Sequence, residues 1–168
     1  MNKEKICLLS VRVILAVLIL VNLFFIFRFS LQNATESSAT SGQVSGVVAD
    51  IVVDDYDKKD DAEKETIRNQ IDPVVRKIAH MSEFGLLGAL VFLLMLTWRW
   101  SLWLQYLIAL GATLLTACID ELLQNFSDGR AMQFTDVLAD LLGGVISCTL
   151  ILAALVIVRS IKRKKGAL

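Results

Sequence analysis

This chain of 168 residues has one proline, one histidine and three cysteines. Cys7, Cys118 and Cys148 sit inside apolar runs, and an odd count at such positions argues against a disulfide framework. They read as small hydrophobes in helix packing. No HExxH-type or Cys/His ligand spacing is present, so no metal site is expected. A convincing P-loop, nucleophile elbow or paired thiol is also missing, and no cofactor is expected. Seventeen basic residues balance seventeen acidic ones, leaving no global basic signal for nucleic acid.

What is present is apolar. Hydrophobic residues make up 55% of the chain, mean hydropathy is +0.62, and the apolar residues are bunched rather than spread. A membrane span needs about 20 mostly apolar residues. Four segments qualify, over residues 6–27, 79–98, 102–118 (extending toward Leu123) and 137–158. Trp98, Trp100, Trp103 and Tyr106 cluster at the second turn as an interfacial belt would. The first span exceeds a signal-peptide core and ends in Phe24-Phe25-Ile26-Phe27-Arg28, which is no small-residue cleavage site, so it reads as a retained anchor. Arg12 near its start is expected to snorkel toward headgroups. The expected fold is all-α: a single polytopic membrane domain over 1–168, with four transmembrane helices and an extracytoplasmic loop containing short amphipathic helices.

Orientation follows from the basic residues. Lys3, Lys5, Arg12, Arg99 and the basic tail at 159–168 fall on one side of a four-span chain, which predicts cytoplasmic termini. Arg28, Arg76, Lys77 and Arg130 fall on the other side, which weakens the rule without overturning it. The loop at 29–72 then faces outward. Residues 30–45, rich in Ser, Thr, Gly and Gln, read as an irregular connector, and residues 54–65 as a charged turn. Val44, Val47, Val48, Ile51 and Val52 recur at helical spacing and predict an amphipathic helix in the interface. Ile67, Ile71 and Val74 suggest a further helical stripe, and Asp72-Pro73 reads as a helix start with Asp as N-cap.

The polar residues of the spans gather toward one side. Arg76, His80 and Glu83 share one face of the second span, Asp120 and Gln124 one face of the third, and Asp136, Asp140 and Gly143 one face of the fourth. Glu121 and Arg130 lie nearby, with Ser127-Asp128-Gly129-Arg130 as the intervening turn. A carboxylate at a bilayer centre costs roughly 2.5–3.5 kcal/mol, so such groups reach water, pair, or serve a function. The economical expectation is one shared outward-facing pocket. Arg76 and Arg130 offer bidentate recognition of phosphate or carboxylate. His80 with Glu83, Asp120 or Glu121 offers a general acid/base pair, so catalysis stays open. Plainer roles stay open too: an ion pair of Arg130 with Asp120 or Glu121, an inter-helix hydrogen bond for His80, a helix cap for Asp136. Gly143, Gly144 and Ser147 form a small-residue face for close packing, with Gly85 and Ala89 as candidates to face it.

Arg76-Lys77-x-x-His80-x-x-Glu83-Phe84, Asp120-Glu121-x-x-Gln124-x-Phe126, Gly129-Arg130 and Asp136-Val137-x-x-Asp140-x-x-Gly143 together resemble the pattern of VanZ-like membrane proteins. Phe29-Ser30-x-Gln32 and Glu36-Ser37-Ser38 are similar to the serine-rich segment after the first span of that family. The resemblance covers about residues 20–150, and it departs at Ser127-Asp128, where the family often carries proline. It implies a multi-pass protein of the bacterial cell membrane. The family's named member is associated with resistance to the lipoglycopeptide teicoplanin. The expected partners are membrane lipids and an anionic lipid-linked or lipoglycopeptide ligand bound through Arg76, His80, Glu83, Asp120, Glu121, Gln124, Arg130, Asp136 and Asp140. The competing readings are an enzyme acting on an envelope lipid or cell-wall intermediate, and a transporter. Homo-oligomerisation is left open.

Overall fold

The computed structural model describes residues 3–126 and 132–166. Its elements are α1 (Lys3–Ser30), α2 (Ala34–Val52), a 3-10 turn (Tyr56–Lys58), α3 (Asp61–Met95), α4 (Leu102–Gln124) and α5 (Phe134–Gly166). Helices are joined by short turns, with no strand among the described residues. By length and composition α1, α3, α4 and α5 can each cross a membrane.

α1 is apolar on nearly every side and leaves most of its large side chains exposed, as a lipid-facing helix does. Its buried positions are Asn22, Ile26 and Ser30, spaced i, i+4, i+8, which make a single stripe against the bundle.

α2 corrects the reading of residues 30–45 as irregular. Asn33 and Glu36 form a capping box: the Glu36 amide donates to Asn33 Oδ1 at 2.8 Å, and the Asn33 amide donates to Glu36 Oε2 at 3.3 Å. Helix therefore starts at Ala34, well ahead of the valine stripe that announces it.

α3 corrects the expected start at Asp72-Pro73. The helix is capped at Asp60, whose side chain accepts from the Glu63 amide at 2.7 Å, and it runs through Pro73 to Met95. An interior proline costs about 3 kcal/mol or more, and here the packing of α3 against α1, α2, α4 and α5 offsets that cost. The Asp72 carboxylate caps nothing; it receives the Ser45 hydroxyl at 2.9 Å and faces Arg76 Nε at 3.3 Å. α5 likewise continues past residue 158 into the basic tail, where Lys and Arg are good helix formers and complement the carboxyl end of the helix dipole.

Phe84, Leu87 and Phe92 of α3 build the core with Ile26, Ala109, Ala117, Val137 and Cys148. Small residues let α3, α4 and α5 approach closely. A Cβ on Gly88 would lie 3.0 Å from Gly144 Cα and 3.2 Å from Thr113 Oγ1, and one on Gly85 would lie 2.8 Å from Ser147 Oγ. Gly143 packs against the Met81 carbonyl with no room for a Cβ.

At the end of the bundle formed by the α3–α4 turn, Arg12 extends from α1 to that turn. Its guanidinium donates to Thr97 Oγ1 at 3.0 Å and to the Thr97 carbonyl at 2.9 Å, and sits 4.2 Å from the Trp98 ring centroid. Gln105 Nε2 donates to the Trp98 and Trp100 carbonyls at 2.9 and 3.2 Å, which secures the same turn.

Candidate functional site

The opposite end of the bundle, where α1 and α4 finish and α5 begins, holds the polar residues. The C-terminal turns of α4 carry Asp120 and Glu121 inward, at 0% and 1% exposure. They are braced from three sides. Ser30 Oγ at the end of α1 donates to the Asp120 carbonyl at 3.0 Å. Gln124 Nε2, one turn along, donates to Asp120 Oδ2 at 2.8 Å. The Gln133 amide, just before α5, donates to Glu121 Oε1. Glu121 thereby ties the end of α4 to the start of α5.

α5 brings Asp140 in from the third side, at 2% exposure. Its Oδ1 is buried with no hydrogen-bond partner among the described residues. α3 contributes His80. One ligand atom each from His80, Asp120 and Asp140 lies within 4.8 Å of the others, so three helices converge on a single point.

His80 also faces a cavity of about 190 Å³ between α1, α2 and α3. Arg76, His80 and Glu83 of α3, Ser37 and Ser41 of α2 and Gln32 form its polar lining, while Phe29, Val44, Val75 and Ala79 form its apolar lining. Arg76 is held by Asp72, which also anchors Ser45, so one carboxylate fixes both the arginine and α2. At the rim Lys77 Nζ pairs with Asp136 Oδ1 at 3.0 Å, a half-exposed bridge between α3 and α5.

Of the residues singled out from sequence, the structure places Arg76, His80 and Glu83 in the cavity and His80, Asp120 and Asp140 in the buried cluster. Glu121 and Gln124 brace that cluster, and Asp136 stands at its edge in an ion pair. Arg130 and the turn at 127–130 lie outside the described residues. The sequence reading missed the contributions of Gln32, Ser37, Ser41, Asp72, Lys77 and Gln133. Three of them carried a usable signal: Ser37 and Ser41 precede Val44 at helical spacing, and Asp72 stands one turn before Arg76. The Gln133 amide is backbone, which residue identity does not announce.

An imidazole beside two buried carboxylates can exchange protons or act as an N/O ligand set. An arginine, hydroxyls and an amide beside apolar walls can hold a molecule with a charged head and an apolar body.

No curated protein and no solved structure matches the chain. A family model described as VanZ/LLP1 matches residues 13–158, a stretch that holds the cavity and the buried cluster together. The chain belongs to the VanZ/LLP1 family.

Proposed function

We propose that this protein is a four-span membrane protein whose cavity binds the anionic head of an amphiphilic component of the cell envelope, on the outer side of the membrane. The observation that carries this reading is the two-sided lining of the cavity. Arg76, with its geometry fixed by Asp72, stands beside Gln32, Ser37, Ser41 and His80, while Phe29, Val44, Val75 and Ala79 complete an apolar wall. A pre-positioned guanidinium recognises phosphate or carboxylate through parallel hydrogen bonds. Val44, Val47, Ile51 and Val52 leave α2 with a highly exposed apolar face that suits the headgroup boundary and lets a ligand enter sideways from lipid. The outward direction rests on Lys3, Lys5, Arg99, Lys162 and Arg163, all at the end of the bundle away from the cavity. A lipid-linked wall intermediate and a teicoplanin-type lipoglycopeptide both belong to this ligand class, and resistance would follow if such a drug were held away from its target.

Native mass spectrometry of the full chain in detergent, with anionic phospholipid added, tests the reading. Wild type should retain anionic lipid adducts; Arg76→Gln should lose charge recognition, and Ser41→Trp should fill the cavity. Adducts that persist in both variants, with helical circular dichroism unchanged, would refute it. Headgroup turnover that is lost in His80→Ala while adducts remain would instead establish the enzyme reading.

A further inference from the structure

We propose that His80, Asp120 and Asp140 form a binding site for one divalent first-row cation of the zinc or manganese type. The placement is unusual for side chains that serve packing alone. Three helices each deliver one ligand atom to a common point, and the three atoms lie within 4.8 Å of one another. Asp140 is 2% exposed and keeps Oδ1 without a hydrogen-bond partner among the described residues. A buried carboxylate oxygen in that state calls for a proton donor or a cation. Gln124 occupies Oδ2 of Asp120, and a carboxylate has lone pairs enough to serve Gln124 and an ion together.

One imidazole nitrogen with two carboxylate oxygens is a borderline-hard set, suited to zinc or manganese rather than to copper(I) or an iron–sulfur cluster. Ligand atoms bound to one such ion at about 2.0–2.2 Å stand roughly 3–3.5 Å apart. The three groups therefore close by at most about 1.3–1.8 Å on loading, a movement within reach of side-chain torsions. Gln124 to Asp120 supplies the outer hydrogen bond that orients a ligating carboxylate. The remaining coordination positions would be filled by water or by a ligand entering past His80 from the cavity. The site does not require the amphiphile reading, because an ion can load with no lipid ligand present.

The sole histidine of the chain makes the test sharp. Full-length protein purified through a histidine-free tag is incubated with zinc or manganese chloride, desalted, and its metal content measured by plasma mass spectrometry. Wild type should retain about one equivalent. Loss of an outer-shell partner costs roughly 10–100-fold in affinity, so His80→Gln and Asp140→Asn, each removing a ligand, should weaken binding by at least about 100-fold. X-ray absorption on the zinc-loaded wild type should show a nitrogen/oxygen shell containing one imidazole, and this readout stands even if a variant fails to fold. Retention of less than about a tenth of an equivalent by wild type, full retention by both variants, or a zinc shell without imidazole overturns the proposal. Because no lipid ligand is added, failure here is distinct from failure to bind an anionic amphiphile.

Discussion

Gly143→Ala puts a single methyl group where the backbones of α3 and α5 touch. A Cβ at Gly143 would overlap the Met81 carbonyl oxygen, and would lie 2.9 Å from the carbonyl carbon and 3.1 Å from Met81 Cα. Ordinary carbon contacts fall at about 3.5–4.0 Å, and these atoms are backbone, so no side-chain rotation relieves the clash. α5 must withdraw from α3 by an ångström or so. Overpacking of this kind costs roughly 1–3 kcal/mol, and removing a glycine from a helix interior returns about 0.5–1 kcal/mol. The net expectation is a destabilisation of about 1–2 kcal/mol, or roughly five- to thirtyfold in the folded-to-unfolded ratio.

Gly111→Ala is the matched control, since nothing lies within 4 Å of its would-be Cβ and only the helix-propensity gain remains. Reversible unfolding in mixed detergent–SDS micelles, followed by far-ultraviolet circular dichroism, reads both. Gly143→Ala should unfold at a lower SDS fraction than wild type, and Gly111→Ala at an equal or higher one. Equal stability of Gly143→Ala and wild type would refute the close approach of the two helices. A second readout links packing to the site. His80 adjoins Met81 and Asp140 stands three residues before Gly143, so a widened crossing should also draw His80 and Asp140 apart. Gly143→Ala should then lower metal uptake while Gly111→Ala leaves it unchanged.

Three further outcomes follow from other contacts. Asp72→Ala removes the partner of the fully buried Ser45 hydroxyl and of Arg76, at a cost of about 1–3 kcal/mol, so hydrogen exchange across α2 should quicken by roughly five- to a hundredfold while α4 is unaffected. Arg12→Gln loses two guanidinium hydrogen bonds to Thr97 and the stacking on Trp98, so tryptophan fluorescence should shift and stability should fall by about 1–2 kcal/mol. In a cysteine-free background, Asp57→Cys should react with a membrane-impermeant maleimide on intact cells and Lys162→Cys only after permeabilisation; the reverse pattern would invert the proposed topology.

The spanning helices were legible because continuous apolar runs of sufficient length have few other structural uses. α2 was not, because Ser, Thr and Gly disguise its first turns and the decisive signal was a capping pair, Asn33 with Glu36. Asp72-Pro73 misled for a related reason: a helix start and a tolerated interior proline look alike locally, and the difference lies in Ser45 and Arg76, which claim the Asp72 side chain. Helical spacing grouped Arg76 with His80 and Glu83, and Asp120 with Gln124, because each group lies on one helix. Topology assigned His80, Asp120 and Asp140 to the same end of the bundle, but their approach to within 4.8 Å needs one particular rotation and separation of three helices, which spacing along each helix does not give.

That rotation and separation are set by Gly85, Gly88, Gly143 and Gly144, where backbone meets backbone or Thr113. The small-residue face on α5 was visible in the sequence, and Gly85 was rightly named as a facing position; Gly88, which meets Gly144, was not. A polar trio with two buried carboxylates among apolar helices gains no help from the hydrophobic effect in finding its geometry, and the desolvation of those carboxylates opposes it. Close glycine packing holds α3 to α5 firmly enough for His80 and Asp140 to remain together despite that opposition. The glycines thus belong to the site as much as the charges do. A variant that keeps every polar residue but separates the helices should lose the site, whereas Lys77→Ala, which removes only a half-exposed ion pair worth at most about 1 kcal/mol, should leave it intact.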